Sequence, residues 1–135
     1  MTTANQPDNT LKNIYLAVTV LIAIEALALI GCTLWLLVEI ILGQSRSIEA
    51  AGMLVALVAV AAIWVGLIAL RIREGVRWAR SSAVFWQTCQ LAIAWGSFTG
   101  SNANAAIGIA LIVPSVLVLA LLFSKPVIKA AETQV

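Results

Sequence analysis

The 21 residues from Ala50 to Leu70 contain no charged side chain. A helix of about 20 such residues matches the ~30 Å hydrocarbon core of a bilayer. A soluble fold of this length could not hide several stretches of that kind, and this chain has several. Of its 135 residues, 62% are hydrophobic and 10% charged, against about a quarter charged in a soluble domain. The pattern predicts an all-α protein of the cell membrane. Its one domain is an antiparallel four-helix transmembrane bundle over residues 13–124, with spans near 15–38, 50–70, 81–98 and 105–123. A disordered cytoplasmic tail is expected over 1–12 and a second cytoplasmic tail over 125–135.

The polar start, rich in Thr and Asn, lacks the features of a cleaved signal peptide: a lone Lys12 precedes an apolar run too long for one. That run, Leu11 to Leu42, would be about 48 Å of helix, longer than a bilayer core, so part of it protrudes or tilts. Tyr15 and Trp35 fall near the ends of the first span, at headgroup level. In the second span Gly52, Ala59 and Gly66 recur every seven residues, with Ala62 and Ala69 beside them. Small residues in register let membrane helices approach closely, so this stripe is the expected helix-packing face. Pro114 removes a backbone donor in the middle of the fourth span and predicts a kink there, with Ser115 or a neighbouring helix re-satisfying the freed carbonyl.

Orientation follows from the basic residues. With the amino terminus inside, Lys12, Arg71, Arg73, Arg77, Arg80, Lys125 and Lys129 lie inside and only Arg46 outside. This is a strong positive-inside bias and places both termini in the cytoplasm. Within the connection from Arg71 to Arg80, Glu74 is three residues from both Arg71 and Arg77, and Gly75 is the expected break. Arg71, Arg73, Arg77, Arg80, Lys125 and Lys129 serve as topology anchors. They are also candidate contacts for anionic lipid headgroups, at about 1 kcal/mol per basic residue near the surface.

Glu25 is the residue that most needs a partner. It lies about 15 Å into the first span, near the bilayer midplane, and should face protein or water rather than lipid. No Lys, Arg or His lies within the spans. The third span, however, carries Ala83, Gln87, Gln90, Ala94 and Ser97 as a small and polar stripe. The expectation is an intramembrane polar network in which Glu25 bonds Gln90 and Gln87 extends the network toward the cytoplasm. Two readings of the network stand: structural glue that sets helix order, or a protonatable carboxyl on a transport path. Glu39 falls near the outer interface.

The chain has no histidine, no phosphate-binding loop and no Cys-x-x-Cys. Catalytic residues, metal ligands and a cofactor are therefore not expected, and neither is an enzyme. Cys32 and Cys89 lie in apolar runs, at different depths, as packing residues. A net charge of +2 gives no reason to expect nucleic acid as a partner.

The segments Glu25-Ala-Leu-Ala-Leu29 and Arg77-Trp-Ala-Arg-Ser81, the latter leading to Val84-Phe-Trp-Gln87, resemble a numerous group of small four-span actinobacterial membrane proteins, largely without assigned function. The resemblance implies fold and membrane location and carries over no catalytic residue. A second likeness, in length and in the first-helix glutamate, is to the small multidrug resistance exporters. The basic second connection and the third-span glutamines depart from that pattern. The sequence thus predicts a non-enzymatic accessory or assembly subunit of a larger membrane complex, or a self-associating bundle. Its partners would be lipid and other membrane subunits or further copies. The alternative is a proton-coupled exporter of lipophilic cations using Glu25.

Overall fold

The structure is a computed structural model that describes residues 6–101 and 103–133. Five helices follow one another: α1 (Gln6–Ile41), α2 (Ile48–Ile72), α3 (Arg77–Thr99), α4 (Ala105–Leu122) and α5 (Lys125–Thr133). Among the described residues there is no strand.

Local chemistry sets most of the boundaries. α1 closes in a Schellman motif: Gly43 takes a φ of +67°, its N–H bonds Ile40 O at 3.1 Å, and the Gln44 N–H bonds Glu39 O at 3.0 Å. The Ser47 hydroxyl then caps α2 by accepting from the Ala50 N–H, with Glu49 in the first turn where the helix dipole favours an acid. Gly75, at φ +69°, is the expected break between α2 and α3. Asn104 caps α4 through the Ala106 N–H at 3.1 Å.

Two expected boundaries change. The disordered tail over 1–12 lies outside the described residues as far as residue 5, but α1 already begins at Gln6. Pro7 fits there because its missing N–H would have had no helical partner in the first turn. The tail over 125–135, of which 134–135 lie outside the described residues, contains α5. Pro126 again occupies a first turn, and the Val127 and Ile128 N–H groups bond Ser124 O to start the helix. Val127 is fully buried while Lys125 and Lys129 are exposed, so α5 is amphipathic and lies against α1 and α4.

Among the described residues, three helices are long and apolar enough to cross a membrane: Asn9–Ile41 of α1, α2 and α4. α3 coincides with the expected third span and has 23 residues, but it falls short on composition. Its glutamines and arginines, the residues that make it interesting, are what lower its hydropathy. Large apolar side chains stand on the surface: Ile41, Met53, Leu57, Leu27, Phe85 and Trp95 are each more than 60% exposed. Hydroxyls inside the helices bond back to a carbonyl four residues earlier, as Thr19 does to Tyr15, Thr33 to Leu29, Thr88 to Val84 and Ser97 to Ile93. Each hydroxyl proton is thus satisfied without water.

The helices pack as two hairpins. α1 lies mainly against α2 and α3 against α4, with thinner α2–α3 and α1–α4 interfaces closing a ring. α1 and α3 therefore sit across a diagonal. The hairpins share a core only near the basic connection. There Val18, Ile22 and Ala26 of α1 meet Val65, Ile68, Ala69 and Ile72 of α2, Ala79 and Ala83 of α3, and Val118 and Leu122 of α4. Between Ala26 and Ala62 the α1–α2 hairpin has no buried residue.

Candidate functional site

Three of the helices, α1, α3 and α4, build the polar centre. α1 carries Glu25 inward on the same face as Val18, Ile22 and Ala26, where it is 7% exposed. α3 presents a face of Ala79, Ala83, Gln87, Gln90 and Ala94, spaced by four and three residues and buried throughout. Alanines at the flanking turns let the backbones approach, and the long glutamine side chains then fill the remaining width. α4 contributes Ser115, fully buried, one residue after Pro114.

Glu25 accepts from two neighbours on α3. The Gln87 amide Nε2 lies 3.1 Å from Glu25 Oε2 and 3.3 Å from Oε1. The Trp86 indole Nε1 donates to Oε2 at 3.1 Å. Consecutive residues of a helix point about 100° apart, so the carboxyl sits in the angle between the indole and the amide. The Gln87 Oε1, on the other side of the same amide, is buried and has no hydrogen-bond partner. An orphaned acceptor of this kind costs about 1–3 kcal/mol.

The expected Glu25–Gln90 bond is not formed. Gln90, one turn further along α3, belongs to a second polar contact. Ser115 Oγ lies 2.7 Å from both Gln90 Oε1 and Leu111 O, and its single proton is shared between them. Glu25 stands level with Gln87 rather than Gln90, and the difference matches the start of α3, which begins at Arg77 and not at the expected Ser81. Depth counted from Ser81 therefore put Gln90 at the level that Gln87 occupies. Gln87 is central and not peripheral, and Gln90 ties α3 to α4 beside the proline. Leu111 O follows the Ala110 carbonyl that Pro114 cannot serve, so Ser115 binds next to the helix defect and not at it.

Two site residues escaped sequence reasoning. Trp86 reads by default as an interfacial or lipid-facing ring, yet it is half-buried and aimed at Glu25. Its position four residues before Gln90, on the same side of the helix, was the available signal. Ser115 was visible only as a helper to Pro114.

The other predicted residues are placed as follows. Ala62 and Ala69 are buried in the α1–α2 interface and Ala59 is half-buried, whereas Gly52 is exposed and Gly66 half-buried. At neither glycine would an added Cβ meet any atom within 4 Å. Glycine therefore serves no packing purpose at these two positions within the chain. A groove of about 500 Å3 runs beside Gly66, lined by Ala23, Ala26, Leu27, Ile63, Leu67, Ala69 and Leu70. Arg71 is paired with Glu74 at 3.2 Å, both more than half exposed, a contact of about 0–1 kcal/mol. Arg73 lines a surface cleft with Thr19, Ala69, Leu70 and Glu74. Arg77, Arg80, Lys125 and Lys129 lie at that same end of the molecule, where α5 meets the start of α3. Glu39 accepts the Trp35 indole N–H at 2.8 Å on the surface of α1. Cys32 and Cys89 are both free. Among the described residues no group of three or more His, Cys, Asp or Glu side chains could hold a metal.

No protein-family model matches the chain, and no curated protein or solved structure does either.

Proposed function

We propose that this chain is a small, non-enzymatic four-helix bundle of the cell membrane, with α3 as its fourth span and both termini in the cytoplasm. It acts as an accessory or assembly subunit of a larger membrane complex, or associates with copies of itself. The gathering of Arg71, Arg73, Arg77, Arg80, Lys125 and Lys129 at one end supports this orientation. Glu25 supports a structural role, because its carboxyl is enclosed and engaged by Trp86 and Gln87 in joining the two hairpins.

The observation that carries the subunit reading is the open α2 face. Gly52 and Gly66 have nothing within 4 Å of a Cβ position, and the groove beside Gly66 is lined by Ala23, Ala26 and Ala69 together with larger apolar side chains. Glycine in a helix interior costs about 0.5–1 kcal/mol relative to alanine, and no contact inside the chain offsets that cost here. A neighbouring membrane helix approaching closely would do so. The test is photo-crosslinking in native membranes from a probe at Gly66, with a probe at Phe85 on α3 as control. A discrete adduct from Gly66 alone supports the reading, and lipid adducts only, from both probes, would end it. Reporter fusions at Ser45 and Gly75 test the orientation, the second being expected inside.

A further inference from the structure

α5 does more than end the chain: it walls a cleft against the start of α3. The cleft has a volume of about 490 Å3 and is lined by Arg77, Arg80, Ser81, Val84 and Ala131. Its lining is amphipathic: Arg77, Arg80, Ser81 and Val84 share one face of α3, and Ala131 comes from α5. Arg77 is exposed and Arg80 half-buried, so both side chains reach solvent from the rim. This end of the molecule holds six cationic residues from Arg71 onward against two acidic ones, Glu74 and Glu132. Glu74 is engaged by Arg71. Trp78 lies one turn away and is 46% exposed, as a ring at headgroup level would be.

A planar guanidinium pairs with phosphate through two parallel hydrogen bonds, and arginine is less strongly hydrated than lysine at such a site. A lining that combines two arginines with Val84 and Ala131 suits a ligand that is charged at one end and greasy at the other. We propose that this cleft is a binding site for an anionic phospholipid. The phosphate lies between Arg77 and Arg80, and the glycerol and upper acyl chain rest on Val84 and Ala131. α5 thereby becomes the wall of a lipid site instead of a loose tail. The proposal rests on the membrane placement of the apolar helices and is independent of the subunit role.

The test uses the full chain in nanodiscs of phosphatidylcholine doped with phosphatidylglycerol, followed by native mass spectrometry of the retained lipid. Preferential retention of phosphatidylglycerol is expected. Arg77→Gln with Arg80→Gln should lower it roughly 30-fold, about fivefold per guanidinium. Arg71→Gln with Arg73→Gln removes the same charge from the same connection outside the cleft, and should change retention by less than about threefold. Ala131→Trp fills the cleft without altering charge and should lower retention at least about tenfold. Equal losses in the two arginine pairs would overturn the site in favour of a diffuse field. So would an absence of phosphatidylglycerol preference in the unaltered chain, or displacement of the lipid by inorganic phosphate alone. Circular dichroism confirms that each variant is folded. Failure of the unaltered chain to incorporate into nanodiscs would count against the membrane placement itself, whereas incorporation without lipid preference counts only against the cleft.

Discussion

Trp86 of α3 and Glu25 of α1 meet across the diagonal of the helix ring, indole Nε1 to carboxylate Oε2 at 3.1 Å, 61 positions apart in the chain. Gln87 grips the same carboxyl from the next position. Two donors from adjacent residues can reach one acceptor at only one rotation of α3, so the pair fixes how the two hairpins face each other. Interhelical hydrogen bonds in membranes average about 0.6 kcal/mol, so this arrangement specifies geometry more than it adds stability.

The first prediction separates the structural and transport readings of Glu25. Glu25→Gln retains an oxygen for one donor and should lower stability by about 1 kcal/mol. Glu25→Leu strands two buried donors and should cost about 1–3 kcal/mol for each. Thermal unfolding in mild detergent measures both, and equal effects of Gln and Leu would show that no clamp exists. Under the subunit reading Glu25→Gln leaves tolerance of lipophilic cations unchanged, whereas lost tolerance with intact complex formation would favour the exporter.

The two glutamines are expected to be energetically separate. Double-mutant cycles should give coupling for Glu25 with Gln87, and for Gln90 with Ser115, of about 0.5–1.5 kcal/mol. Glu25 with Gln90 should be additive within about 0.3–0.5 kcal/mol. Coupling between Glu25 and Gln90 as large as that with Gln87 would restore the pairing that the sequence suggested.

Gly108→Ala should be damaging. A Cβ there would come within 2.6 Å of the Phe98 ring of α3. The expected loss is about 1–3 kcal/mol, recovered when Phe98→Leu is combined with it. Stability unchanged in the single variant would mean that the ring moves aside freely.

Gly52→Ala and Gly66→Ala should have the opposite effect on the isolated chain, raising its stability by up to about 1 kcal/mol each because the added methyls meet nothing. If the open face of α2 is an assembly surface, the same substitutions weaken association. Analytical ultracentrifugation or co-purification in detergent reads this out. Stabilised protein with undiminished association would remove α2 from the interface.

The helices, Gly75 as the break and the gathering of Glu25 with a third-helix glutamine were legible in the sequence, because each depends on local pattern or on the cost of a buried charge. Which glutamine pairs with Glu25 was not. One helical turn is only about 5.4 Å, and α3 begins about one turn before the expected span, at Arg77 instead of Ser81. α5 was hidden for a related reason: Lys125-Pro126 reads as a helix stop, yet proline near the start of a helix is favourable. Trp86 was hidden because indoles in membrane helices are usually placed by lipid and not by an internal acid.

The burial limit at Ala26 also has a dynamic consequence. Free energy for local opening tracks how many buried contacts a segment would break. The distal part of the α1–α2 hairpin, residues 27–61, can therefore bend while the core of Val18, Ile22, Val65, Ile68 and Leu122 stays intact. Amide exchange in detergent should then fall into two phases, with the slow one confined to the end that bears the arginines. The α1–α2 hairpin would behave as a lever, pivoting beside the contact between Glu25 and Gln87, with the turn at Gly43 as its moving end.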